Sequence, residues 1–447
     1  LAPSPLVPKN DGVPIQGQVI MSRVPKILAM SATLLSITTL SVDELIAQQP
    51  DETPFWRPVV MGTFGMVAAE HPLETIAGME ILEAGGNAFD AAAAVFYMTT
   101  VVEQHQAGIG GDGFILAYLA AEDRVVFING TGPAPGLATR AYYTELGGIP
   151  DAGPLATDVP GAAGGFDLAL REYGTMEYAQ ILAPAIRAAR EGHPVDFWAS
   201  GYHARAVEKI SPYPSSLSVL MPQGQPFRAG DVYVQSDLAR SFEAISRGGI
   251  DVFYRGDLAR RIGNAYEREG GLLRYDDLAG YYAEETPPIA TTYAGLDVYQ
   301  SAPNSQGIVM LIALNILEGF DLVEMGHNSA DYVHVVTEAM KLAFADRNRY
   351  VADPKFADVP TDELLSKDYA AKRRELIRMD RTMTVAPAGD PRRGRAVADG
   401  AAAEYGAESQ PVERPESAPE EGGETSSFSI ADQFGNLVSV THSVNGT

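Results

Sequence analysis

The residues with the clearest chemical potential lie near the end of the sequence. Thr425-Ser426-Ser427-Phe428-Ser429-Ile430-Ala431 is followed by Asp432-Gln433-Phe434-Gly435-Asn436 and then by Leu437 to Asn445. The middle five residues carry turn chemistry, and the flanks alternate with the period of a β-strand. One face collects Phe428, Ile430, Val438, Val440 and Val444; the other collects Thr425, Ser427, Ser429, Ser439, Thr441, Ser443 and Asn445. A turn centred on Phe434 pairs residues whose numbers sum to 868, so Thr425 faces Ser443 and Ser427 faces Thr441. A polar face of this kind would also suit an ordinary half-solvated sheet. Its position points further. A very hydrophilic stretch, 382–424, reads as a mobile acidic linker running straight into Thr425. Scission of the Glu424–Thr425 bond would put a hydroxyl and a free α-amine on one residue. Such an amine titrates near 7.7–8.0 and accepts the hydroxyl proton without a histidine. This nucleophile needs no metal, and no cofactor is expected.

Other motifs fail on context. Gly108-Ile109-Gly110-Gly111-Asp112-Gly113 fits a dinucleotide-binding pattern by letter, but a helix precedes it and a strand follows, the reverse of what phosphate binding needs. No G-x-S-x-G elbow or H-E-x-x-H pair occurs, and none of the seven histidines forms a metal-spaced pair. Glu338, Asp346 and Asp353 alternate with Lys341, Arg347 and Arg349, the pattern of a solvated helix face. The absence of cysteine removes disulfides, thiolate zinc sites and cysteine nucleophiles together.

Around these residues the composition is that of a globular protein: 447 residues, 46% apolar, 20% charged, with a net charge of −25 that repels nucleic acid. Helices are expected over 71–84, 87–102, 162–173, 176–191, 237–247, 258–269, 307–317 and 330–350. Strands are expected over 114–119, 124–128 and 296–300. Strands at both ends and helices between give a mixed α+β class. Residues 1–20 read as upstream translated sequence. Residues 21–47 carry two positive charges followed by an uncharged apolar run, as an export signal does, too short and polar for a stable membrane span. A buried N-terminal helix would show the same run.

From Gly65 to Thr447 the sequence resembles the γ-glutamyltransferase family of N-terminal-nucleophile (Ntn) hydrolases. The resemblance is carried by Ala69-Glu70-His71-Pro72, Gly85-Gly86-Asn87-Ala88-Phe89-Asp90-Ala91, the Gly108–Phe114 run, Val159-Pro160-Gly161, Phe253-Tyr254-Arg255-Gly256, 301–307, 343–347 and the signature beginning at Thr425. It implies a four-layer αββα sandwich whose C-terminal part is missing from this chain. A large-subunit region would span 65–381, and a truncated small subunit would begin at 425. It also implies a precursor cut between Glu424 and Thr425 into two chains that stay together as a heterodimer. Thr425 would be the nucleophile, braced by the hydroxyl of Ser443, with Ser443 and Asn445 as the substrate-binding residues and Asn445 at the α-amino acid end. The activity implied is opening of γ-glutamyl amides such as glutathione, a small-molecule substrate, with transfer of the acyl group to water or an amine through an acyl-threonine. The export-signal reading of 21–47 puts the protein in the periplasm or outside the cell.

Three positions depart from the family pattern: Ser427 replaces a histidine, Ser443 replaces a threonine, and Thr131 stands where an arginine holds the substrate α-carboxylate. A hydroxyl makes no bidentate contact to a carboxylate, so an acylase acting on another amide is an alternative. A non-processing homologue acting as a binding protein is another. Because the family's oxyanion-hole glycines fall beyond residue 447, this stretch alone is expected to have little activity.

Overall fold

The structure is a computed structural model that describes residues 60–406 and 425–444; the segments 1–20 and 21–47, Glu424 and Asn445 lie outside the described residues. From Met61 onward these residues form one compact unit. Its centre is a six-stranded antiparallel sheet. The strands are β1 (Gly65–Ala68), β2 (Asp112–Leu119), β3 (Arg124–Gly130), β4 (Glu284–Thr286), β5 (Ser426–Asp432) and β6 (Leu437–Ser443), in the order β1-β5-β6-β2-β3-β4. The C-terminal hairpin is therefore inserted between two strands that are near neighbours in sequence.

One face of this sheet is apolar because the alternating side chains make it so. Phe428, Ile430, Val438, Val440, Ile115, Ala117, Val126 and Ile128 are all buried there. Helices α1 (Pro72–Glu83), α2 (Ala88–Val102) and α3 (Ala162–Tyr173) cover that face. Every residue of α2 is buried, which suits its run of four alanines pressed between the sheet and other helices. Its start is well defined. The Asn87 side-chain oxygen accepts the Phe89 and Asp90 N–H groups at 2.9 and 3.1 Å, and Asp90 accepts the Asn87 N–H at 2.9 Å in return.

Asp432, in the tight turn, has its own link to that helix. It accepts the Ala88 N–H, the Phe434 N–H and the Asn436 N–H, each at 2.9 Å. One carboxylate thus closes the hairpin and caps the positive end of α2.

A second core is built from α5 (Gly307–Leu317), α6 (Ala330–Tyr350) and α7 (Lys367–Arg374), with α4 (Phe197–Ile210) elsewhere in the unit. Two expectations are corrected here. The carboxylates of α6 do not form a solvated face: Glu338 and Asp346 are fully buried. Glu338 pairs with Lys341 at 2.6 Å and accepts the Met383 N–H at 2.9 Å. Asp346 pairs with the buried Arg373 at 3.1 Å, so the charges neutralise one another out of water. Nor is 382–424 a mobile linker throughout. Residues 383–385 pair with 404–405 in a short sheet, Met383 belongs to the second core, and Arg373 donates to the carbonyls of Pro387 and Ala396. A buried guanidinium needs acceptors, and the chain between those strands supplies them. Residues 407–424 lie outside the described residues.

Most expected helices and strands appear within a residue or two. The expected helix 176–191 is instead two pieces, Tyr178–Ile181 and Ala183–Glu191, because Pro184 has no N–H to continue the ladder. Replacing Asp432 with alanine removes the acceptor for three backbone groups. Denaturant unfolding should show a loss of roughly 3 kcal/mol, with Asp432→Asn losing less.

Candidate active site

The hairpin takes the expected register. Ser426 faces His442, Ser427 faces Thr441 and Ile430 faces Val438, each pair summing to 868. Continuing one residue sets Thr425, which is exposed, against Ser443. The neighbouring ladders extend the row: Ser443 faces Asp112, and one residue past the Gly113–Gly130 pair Asp112 faces Thr131. Thr425, Ser443, Asp112 and Thr131 therefore lie along one line across four strands, spanning roughly 14 Å at the usual interstrand spacing. Ser427, Thr441, Phe114 and Asn129 form the adjacent row on the same face.

Several contacts fix the leading end of β5. Strand β1 stops at Ala68, paired with Ser429, and the Glu70 side chain takes over the next rung by accepting the Ser427 N–H at 3.1 Å. From beneath, the Ser426 hydroxyl donates to Glu103 at 3.1 Å, at the C-terminal end of α2. Beyond β6, the Val444 N–H donates to the Gln106 carbonyl at 3.0 Å. The glycine run 108–113 serves this packing. A Cβ on Gly111 would fall 2.0 Å from the Ser443 carbonyl oxygen, and only glycine leaves room.

The surroundings are rich in carboxyl groups displaced from their ordinary range. Burial pushes Glu103 up to about 7 and raises Glu74 well above its usual value, helped by the charge of Glu103. Burial and the nearby Asp158 carboxylate push Asp112 up to about 8; its Oδ1 also accepts the Gly132 N–H at 2.8 Å. Four buried histidines (His71, His105, His193 and His203) lie close enough to influence one another, and burial lowers all of them, His105 and His193 to about 4. His442, wholly enclosed beside Phe96 and Phe428, is lowered to about 3. Among the described residues no three histidine or acidic side chains converge as metal ligands, and no helix is long and apolar enough to cross a membrane.

Thr131 sits in a closed triangle. Its hydroxyl donates to Asn129 Oδ1 at 2.7 Å, Asn129 donates to Asn304 Oδ1 at 2.9 Å, and Asn304 donates back to the Thr131 oxygen at 2.9 Å. Every member is neutral.

The family model for gamma-glutamyltranspeptidase matches residues 75–447. This chain belongs to the γ-glutamyltranspeptidase family. It is 38% identical over 319 residues to the glutathione hydrolase-like YwrD proenzyme of Bacillus subtilis (strain 168), covering 71% of this chain and 61% of that protein. It is 35% identical over 390 residues to the glutathione hydrolase proenzyme of Escherichia coli (strain K12), covering 86% of this chain and 63% of that protein. Among solved structures, a cephalosporin acylase from Bacillus halodurans superposes with a TM-score of 0.77 at 33% identity, covering 90% of this chain and 70% of that one. The chain thus spans somewhat over 60% of the length of the two curated relatives, and its fold is the α+β Ntn-hydrolase fold expected from the sequence. The described residues contribute one large sheet and the helices on its apolar face.

Of the anticipated site residues, the structure brings Thr425 and Ser443 together on neighbouring strands; Glu424 and Asn445 lie outside the described residues. Sequence reasoning missed Glu70, Glu103 and Asp112, which touch the ends of these strands, and Glu74 behind them. The only available signal was that Glu74, Glu103 and Asp112 interrupt otherwise apolar or glycine-rich runs.

The displaced groups set a pH dependence of stability. Carboxyls raised in the fold bind protons more tightly there than in the unfolded chain, so their contribution falls as pH rises from about 4 towards the folded values of about 7 for Glu103 and 8 for Asp112. The lowered histidines act oppositely, losing stability as pH falls from about 6.5 towards the folded value of about 4. Thermal midpoints should therefore peak in mildly acidic solution, and Asp112→Asn should flatten the decline between pH 5 and 9.

Proposed function

We propose that the full-length protein is a self-processing amidase whose nucleophile is Thr425. The observation that carries this reading is the place of Thr425: exposed, immediately before the first residue of a clamped strand, with the ladder continued one residue setting it opposite Ser443. Hydrolysis of the Glu424–Thr425 bond leaves a new α-amine on the residue that bears the hydroxyl. In each turnover that amine takes the hydroxyl proton while Oγ attacks the carbonyl carbon of a substrate amide. The C–N bond breaks, the departing amine leaves with the proton, and an ester to Thr425 remains. Water or a second amine then attacks the ester and restores the threonine. The hydroxyl of Ser443, whose Cα lies about 5 Å from that of Thr425 by strand geometry, is the group placed to hold the attacking oxygen in line. The segment 21–47, two positive charges followed by the uncharged run 27–42, supports export, so the mature enzyme would work outside the cytoplasm.

The neutral Asn129–Thr131–Asn304 triangle favours an acyl group without a carboxylate at its far end. An anion there would meet neutral dipoles in place of a guanidinium, with Asp112 and Asp158 close by. The solved relative named a cephalosporin acylase is consistent with such a donor. The second reading, cleavage of γ-glutamyl amides such as glutathione, draws on the relatives named glutathione hydrolases.

A denaturing gel with N-terminal sequencing tests the chemistry: the parent should yield a chain starting at Thr425, and Thr425→Ala should stay intact and lose at least about 10³-fold in turnover. A parent that remains one uncut, inactive chain would point to a binding protein instead. Comparing kcat/KM for a γ-glutamyl anilide with that for an uncharged acyl anilide tests the donor. The uncharged substrate should be preferred at least about tenfold, the worth of one charge-assisted contact; preference for the γ-glutamyl compound would restore the second reading.

A further inference from the structure

Beneath the strand that carries Thr425 lies a carboxyl pair that packing alone does not explain. Glu103, at the end of α2, and Glu74, in the first turn of α1, are both buried, Glu74 completely. Glu74 Oε1 has no hydrogen-bond partner among the described residues, its Oε2 lies 3.5 Å from the His71 N–H, and the Thr99 hydroxyl and the Glu103 carboxyl lie beside it. Two acids buried together cost stability that apolar residues of similar volume would not, so a fold under pressure for packing alone would discard them.

We propose that Glu103 is a positioning residue for the nucleophile, fixing Thr425 through the hydroxyl of Ser426, with Glu74 as the partner that holds Glu103 in place. This rests on the reading of Thr425 as nucleophile. Side chains alternate along a strand, so Ser426 points down into the core when Thr425 points up to the open face. The bond from Ser426 Oγ to Glu103 pins the downward residue, and the Glu70 bond to the Ser427 N–H pins the next one. Two consecutive anchors leave the residue before them little freedom to swing. Ser426 is fully buried, so water does not replace that bond.

The anchor is strongest when Glu103 is ionised, because a charged acceptor binds a hydroxyl about twice as well as a neutral one. The groups facing Glu103 are Glu74 from α1, Glu70 after β1, and Asp196 at the start of α4, itself 3.6 Å from His71; His442, across from Ser426, is held neutral by burial. Burial, with the Glu70 and Asp196 carboxylates, pushes Glu103 up to about 7, against the hydrogen bonds of Ser426 and Glu74, which pull it down. Activity therefore depends on two deprotonations on the acid side: the Thr425 amine and Glu103.

The test is the pH profile of kcat for the full-length protein, normalised by mass spectrometry to the number of chains beginning at Thr425. Log kcat in the parent should fall with unit slope at low pH as the Thr425 amine is protonated, and drop by up to about one further log unit, the worth of the anchor, as Glu103 takes a proton. Glu103→Gln keeps an acceptor oxygen but does not ionise, so that extra step should vanish and leave the amine titration alone. Ser426→Ala should lower kcat about tenfold, as loss of a bond to a charged group would, with KM within about twofold, and Ser426→Thr, which keeps the hydroxyl, should recover most of it. A parent profile described by the amine titration alone, with no extra step, overturns the proposal without recourse to any variant. A Glu103→Gln profile superimposable on the parent's does the same while leaving Thr425 as nucleophile. A parent that never releases a chain starting at Thr425 overturns both.

Discussion

The carboxylate of Asp432 is the point on which this arrangement depends. It closes the turn that sets the register of the hairpin and holds the first residue of α2, so the sheet and its covering helix share one fixed origin. From there the two elements run side by side. Helix α2 covers about 22 Å in fifteen residues, and β5 covers about 20 Å from Asp432 back to Ser426. Their far ends meet where Glu103 reaches the Ser426 hydroxyl. A turn more than 300 residues away from α2 in sequence thus determines where α2 delivers its last side chain.

The charges around the site have a shared logic. Glu74 with Glu103, and Asp112 with Asp158, are buried acid pairs in which one member raises the other, Glu103 raising Glu74 and Asp158 raising Asp112, and each pair lies by the end of a strand that contributes to the row containing Thr425. At neutral pH such pairs retain protons, which limits the repulsion that four carboxylates would otherwise produce. The second core treats its charges differently. Asp346 and Glu338 are matched by Arg373 and Lys341, and hold chain segments in place. Opposite charges there serve architecture; like charges near the hairpin leave titratable groups beside the chemistry.

Much of this was legible in the sequence, and the reason is periodicity. The hairpin register, the helices at 307–317 and 330–350, and the strand at 296–300 each follow from a pattern within one segment. What could not be read was any property set by two distant segments. The burial of Asp346 depends on Arg373, and the order of 383–405 depends on the same guanidinium. A charged residue in a helix looks solvated until its partner is located in space. Helix α4 was missed for a more local reason: Phe197 and Trp198 at its start are exposed, so its apolar stripe is weak, although Asp196 caps it by accepting the Ala199 N–H at 2.7 Å.

The matched lengths of α2 and β5 restrict how such a protein can vary. One residue added to or removed from α2 would rotate its end by about 100° and slide it 1.5 Å, carrying Glu103 off the line to Ser426. A similar change in β5 would turn every side chain to the opposite face, sending Thr425 inward. Insertions and deletions should therefore accumulate in connections such as residues 120–123 between β2 and β3, while the helix and the strand behave as a pair of rulers that can change only together.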